Sequence, residues 1–173
     1  GECPLNSPAV ASTTEIPSLM IGNRELFTCP GCGGALRIES RNTSVSCDGC
    51  RHIFQSEFGI PLMFWANEWK GKQDVTDKIK AFYEETPFPN YEDIDSGASL
   101  RDKAGKGIFA RLLDAQIPNG ARILEAGCGT GQLSNFLGLT DGRTVFGTDM
   151  CLNSLKLSQE FKAKNDIDNT AFF

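Results

Sequence analysis

Ile123-Leu124-Glu125-Ala126-Gly127-Cys128-Gly129-Thr130-Gly131 decides the fold of this chain. The apolar run from Arg122 to Ala126 stops at a turn with glycine at positions 127, 129 and 131, and a short apolar run closed by glycine reads as a buried strand. Leu133, Phe136 and Leu137 then share one face of a helix. Thr144 to Asp149 reads as a second strand, Leu152 to Lys164 as a second helix, and Thr170 to Phe173 as the opening of a third strand. Strands alternating with helices imply a parallel α/β sheet with right-handed crossovers. Upstream, Leu100 to Ala115 predicts a helix carrying Ile108, Phe109, Leu112 and Leu113, which ends before Pro118-Asn119-Gly120.

The glycine turn also suggests chemistry. Glycines let a turn pass close beneath a ligand, and exposed backbone N–H groups at the following helix start hold its polar groups. Asp149 ends the second strand, about 20 residues past the turn, where a carboxylate accepts the hydroxyls of a ribose. A dinucleotide fingerprint requires glycine at 132, but Gln132 stands there, and the remaining G-x-G-x-G disfavours NAD and favours S-adenosylmethionine.

On these residues the chain resembles class I S-adenosylmethionine-dependent methyltransferases. Glu125 through Gly131 resembles the first motif of that family, an acidic residue followed by G-x-G-x-G, and Asp149 resembles the acidic residue that ends strand two in its next motif. The resemblance covers about Arg122 to Phe173 and implies a Rossmann-like fold. It also implies that Gly127, Cys128, Gly129 and Gly131 line the methionine and ribose part of the cofactor. Glu125 would hold the loop and the amino group, Asp149 the ribose hydroxyls, and Met150 would pack against the adenine. Cys128 and Cys151 read as small wall residues, because no histidine lies nearby in sequence to activate a thiol. The competing reading is a turn that serves packing alone.

The second constellation is Cys29-x2-Cys32-x14-Cys47-x2-Cys50. Two thiolates separated by two residues face one ion across a tight turn, and two such turns complete a tetrahedral Zn²⁺ site. Four cysteines leave no open position, so the ion is expected to be structural. A redox pair and plain disulfides are disfavoured, the first because no thioredoxin-like pattern surrounds it and the second by a reducing compartment. His52, the only histidine, reads as a surface or supporting residue. Leu26 through Cys50 and on to Phe58-Gly59-Ile60-Pro61-Leu62-Met63 is similar to small zinc-ribbon methyltransferase-activator proteins of the Trm-one-one-two type. Zinc ribbons also precede a class of bacterial ribosomal RNA guanine methyltransferases, but the ligand order and the following segment differ here.

These readings divide the chain into a flexible tail (1–22), a zinc ribbon (23–66), a helix with a Pro/aromatic linker or lid (67–100) and the truncated cofactor-binding part of a methyltransferase domain (101–173). The ribbon is too small to hold a core unaided. Glu68 to Phe82 predicts a helix, and Phe82-Tyr83-Glu84-Glu85-Thr86-Pro87-Phe88-Pro89-Asn90-Tyr91 is either an anchor that docks Phe88 and Tyr91 on the core or a lid over the ligand. With 17 basic and 22 acidic side chains, a net charge of −5 gives no general reason to bind nucleic acid. The longest apolar stretch, Phe58 to Ala66, is about half of the ~20 residues a membrane-spanning helix needs. Seven cysteines, an odd number, and no secretory signal pattern at the start fit a cytoplasmic protein better than a secreted disulfide scaffold.

The function expected from sequence is therefore methyl transfer from S-adenosylmethionine to an unidentified acceptor, with a structural zinc. Residues 128–173 hold only two strand–helix steps after the turn, so no catalytic residue is named. The alternative is a non-catalytic binding or activator module, which meets a protein partner through the ribbon or an exposed sheet edge. A nicotinamide oxidoreductase comes third.

Overall fold

The computed structural model describes residues 14–39, 41–65, 87 and 89–173. The helix expected over 68–82, and Phe82 to Thr86 with Phe88, lie outside the described residues.

The C-terminal half is α/β. Strands β5 (Arg122–Ala126), β6 (Thr144–Thr148) and β7 (Thr170–Phe172) lie in the order β5-β6-β7. All are parallel, with Ile123 opposite Val145 and Phe146 opposite Ala171. The crossovers run through helices α4 (Gln132–Gly138) and α5 (Leu152–Lys164). This is the Rossmann-like half expected from the alternation of apolar runs. Ahead of it the single helix expected over Leu100 to Ala115 is two, α2 (Gly97–Lys106) and α3 (Ile108–Gln116), because Gly107 is extended at φ −94°, ψ 130°. Apolar periodicity continues across Gly107 while a glycine weakens the helix by about 1 kcal/mol. Ser96 starts α2 with a capping box shared with Ser99.

The N-terminal half is an antiparallel sheet of β1 (Leu36–Ile38), β2 (Ser44–Cys47), β3 (Ile53–Glu57) and β4 (Ile60–Pro61), in that order. Of the flexible tail expected over 1–22, the described residues 14–22 do not behave as one. Ser18–Gly22 forms helix α1, and Ile16 and Met20 are buried. Pro17, at φ −58°, caps the helix start instead of breaking the chain, and the Ile16 N–H donates to the Asn42 carbonyl at 2.6 Å. Burial beside Val45 and Phe54 outweighs the weak local propensity.

The two halves share a core. Ile16, Met20, Val45 and Phe54 form one cluster with Phe146 of β6 and Ala171 of β7, and Phe27 sets its ring edge-on to Phe146 at 5.1 Å. Val145 packs instead with Leu100, Phe136, Leu137 and Phe161 from the helices, as alternation along β6 requires. Arg143, buried at the start of β6, donates to the Asp114 carboxylate at 2.6 Å and to the carbonyls of Asp114 and Ile117 at 2.8 and 2.7 Å, tying α3 to the sheet.

Among the described residues β5 is hydrogen-bonded on one side only, and its Leu124 is 63% exposed. Ile108, Phe109 and Leu112 also face outward on α3.

Candidate functional site

Chain geometry at the end of β5 follows from its glycines. Gly127, Gly129 and Gly131 have φ of 72°, 55° and 67°, the left-handed region in which a side chain is costly. Gly131 has a second constraint, since a Cβ there would lie 2.6 Å from Ser158 Oγ and 2.7 Å from the Phe172 ring. It therefore provides the close approach between helix start and sheet that the third glycine provides in a dinucleotide fold, and position 132 is free to be glutamine. At Gly127 an added Cβ would meet nothing within 4 Å, so the backbone there borders open space.

Asp149 is drawn beneath this turn. Its Oδ2 accepts from the Gly129 N–H at 2.8 Å and its Oδ1 from the Cys151 N–H at 2.9 Å. Each carboxylate oxygen keeps acceptor capacity for a further donor. The N–H groups of Gly127 and Cys128 donate to the Thr148 carbonyl and that of Gly131 to the Cys128 carbonyl. The N–H groups of residues 127, 128, 129 and 131 thus hold the turn to itself and to Asp149, which leaves the helix start at Gln132, and not the turn, for the ligand contacts expected of backbone N–H groups. Open space above Gly127 and spare carboxylate oxygens are what the turn offers instead.

Glu125, half-buried on β5, accepts from the Ser134 hydroxyl. Burial pushes its carboxyl above the ordinary value; the Ser134 bonds oppose this, and the Asp149 charge adds to it. Cys128 is buried, and desolvation, with Glu125 and Asp149 nearby, pushes its thiol up. A neutral thiol is a poor nucleophile, and Cys151 is 1% exposed. Gly127, Thr148, Asp149 and Met150 border a cleft of about 1550 Å³ whose opposite wall includes Leu26 and Trp65 from the antiparallel half. Glu125, Cys128, Gly129 and Gly131 do not line that cleft.

No protein-family model matches the chain. A ribosomal protein L11 methyltransferase of Acetivibrio thermocellus is 24% identical over an alignment of 119 residues that covers 63% of this chain and 38% of that protein. A TehB-like SAM-dependent methyltransferase of Corynebacterium glutamicum is 34% identical over 42% of this chain and 38% of its own, with a TM-score of 0.32. Both relatives are methyltransferases. The chain spans about two fifths of the length of each.

The four thiols of Cys29, Cys32, Cys47 and Cys50 lie within 4.8 Å of one another. Cys29 and Cys50 are 3.7 Å apart and Cys32 and Cys47 3.4 Å. Four sulfurs about 2.3 Å from one tetrahedral Zn²⁺ would be separated by about 3.8 Å, so the donor set and its spacing fit zinc. The N–H groups of Gly49 and Cys50 point at Cys47 Sγ from 3.3 and 3.4 Å. With the Cys50 N–H contributing most, these bonds bring the Cys47 thiol down to about 6 against the opposing effect of desolvation. The His52 N–H favours a Cys50 thiolate, yet desolvation and the neighbouring thiols push that group up to about 11. The His52 ring packs against Phe54 at 4.5 Å and Trp65 at 5.0 Å, apart from the sulfur cluster.

Bonds that sequence reasoning did not foresee tie the turn to residues 89–91. The Tyr91 hydroxyl donates to the Thr130 carbonyl at 2.9 Å and accepts from Asn135 Nδ2 at 3.1 Å, while its ring stacks on Phe161 at 4.4 Å. The Thr130 hydroxyl donates to the Pro89 carbonyl, and Gln132 Nε2 to the Asn90 carbonyl at 2.6 Å. Tyr91 thus docks on the core, while Phe88, the other residue of the anchor reading, lies outside the described residues. A signal was available in Ser134 and Asn135, polar residues between the apolar Leu133 and Phe136 of a core helix, both fully buried and therefore in need of partners.

Proposed function

We propose that the chain carries the cofactor-binding half of an S-adenosylmethionine-dependent methyltransferase, with a structural Zn²⁺ held by Cys29, Cys32, Cys47 and Cys50. The observation that carries this reading is the left-handed glycine turn with the Asp149 carboxylate bonded beneath it, at the edge of an open cleft. Similarity to a ribosomal protein L11 methyltransferase supports it. Bound there, S-adenosylmethionine would supply an activated methyl group to a nucleophilic acceptor. Asp149 accepts the ribose hydroxyls, the Gly127 backbone leaves room for the cofactor and Met150 covers its adenine, while Glu125, bonded to Ser134, holds the loop. Their contribution is orientation, which accounts for a large part of the barrier reduction in a displacement of this kind. The acceptor and any general base are not assigned.

The β5 edge and the apolar face of α3 favour a second reading, in which a protein partner covers these surfaces and the half-domain does not turn over by itself. Isothermal titration separates the cofactor question from the partner question. The zinc-loaded chain should bind S-adenosylmethionine and not NAD, and Asp149→Ala should weaken binding at least about tenfold through loss of charge-assisted hydrogen bonds. Elemental analysis should return about one zinc per chain. Equal binding by the variant would remove the ribose assignment. Failure of a folded, zinc-loaded chain to bind either nucleotide would leave the partner reading.

A further inference from the structure

Residues 89–91 lie across the glycine turn as a strap. Each of the three contributes one polar group to it, and on the turn side Thr130 commits both its hydroxyl, to Pro89, and its carbonyl, to Tyr91. Thr130 has 0% exposure and stands between the two left-handed glycines 129 and 131. Gln132, which replaces the glycine of a dinucleotide fingerprint, gives its side-chain amide to Asn90. Asn135, also with 0% exposure, connects the Tyr91 hydroxyl to the Ser158 carbonyl of α5 at 3.1 Å. Three glycines leave the turn with little conformational preference of its own, and its N–H groups are spent on Thr148, Asp149 and Cys128. The strap supplies the remaining polar ties to residues 130 and 132 from outside the sheet.

We propose that Tyr91 and Gln132 are positioning residues. They fix Thr130 and the helix start so that Gly127, Gly129 and Asp149 keep the arrangement that receives the cofactor. This rests on the assignment of the turn to S-adenosylmethionine. The decisive group is the Tyr91 hydroxyl, because the ring alone would satisfy a packing role against Phe161.

Tyr91→Phe keeps the ring and its stacking and deletes the hydroxyl, while Asn135 retains the Ser158 carbonyl as acceptor. Gln132→Ala removes the second tie at an exposed bond and leaves the core untouched, so it folds where the tyrosine variant fails to. Two measurements on the zinc-loaded 173-residue chain test the proposal. Hydrogen exchange of the cofactor-free chain should be faster in peptides spanning 127–133 in both variants, with β6 unchanged. Titration with S-adenosylmethionine should show Kd raised about five- to tenfold for Tyr91→Phe and about threefold for Gln132→Ala, the sizes expected for loss of a hydrogen bond. A purely structural tyrosine would lower the melting temperature and speed exchange in β6 and the turn alike, leaving Kd unchanged; that outcome overturns the proposal. Variants that bind as tightly as the parent overturn it while the methyltransferase reading stands. A folded parent that does not bind S-adenosylmethionine overturns both, and asymmetric exchange would then show the strap to be a brace for the turn alone.

Discussion

Glu125 shows how a carboxyl placed at a proposed site costs the fold. Its carboxyl is raised above 4.5, first by burial and then by the Asp149 charge, so the folded chain takes up a proton that the unfolded chain releases at the same pH. Stability from this group is present below the ordinary carboxyl value and lost as pH rises through the raised one. Glu125→Gln should therefore gain on the parent in melting temperature as pH rises from about 4.5 toward neutrality. Paired thermal scans at both ends of the range check this; parallel melting curves would contradict the burial argument. Gly131 offers the opposite case, a residue needed by fold and site together. Gly131→Ala places a Cβ 2.6 Å from Ser158 Oγ at φ 67°, and strain plus overpacking should cost about 2–4 kcal/mol in urea unfolding.

At the scale of elements, the sequence was informative where the determinants are local. The strands from Arg122, Thr144 and Thr170 and the helix from Leu152 to Lys164 stand where the apolar runs and their glycine punctuation place them. What escaped depends on distant partners. Ile16 and Met20 are core residues only because Val45 and Phe54 lie against them, so a proline-rich segment read as tail becomes α1. Gly107 interrupts a periodicity that α2 and α3 both follow, and hydrophobic spacing does not register a backbone break. The cysteine cluster and the placement of Asp149 beside the turn were legible because both depend on short spacings or a single crossover, whereas the 89–91 strap is made of long-range hydrogen bonds between polar side chains and backbone. The tie between α3 and β6 is of the same kind. Arg143 has 2% of its side chain exposed and makes three bonds to the end of α3, so Arg143→Ala should cost about 3–5 kcal/mol. A loss below ~1 kcal/mol in urea unfolding would mean that water replaces these bonds at little cost.

Over the whole molecule, the shared cluster makes the two halves interdependent. Phe146 and Ala171 of the parallel sheet are covered by residues of the antiparallel half, whose own fold would depend on the Zn²⁺ proposed for Cys29, Cys32, Cys47 and Cys50. Structural zinc contributes on the order of 10 kcal/mol to small domains, comparable to the total stability of most proteins. Treatment with a chelator should therefore release the antiparallel half, expose Phe146, and lower the melting temperature of the parallel sheet by about 10 °C or more. A parallel-sheet transition unmoved by the chelator would show the halves to be independent. The strap has a consequence in time as well. Its bonds join positions 39 to 44 residues apart, so during synthesis at about 5–20 residues per second, Tyr91 leaves the ribosome some seconds before the turn it holds. Contacts of such separation are slow to close. The turn therefore takes its final shape against a template that was made first.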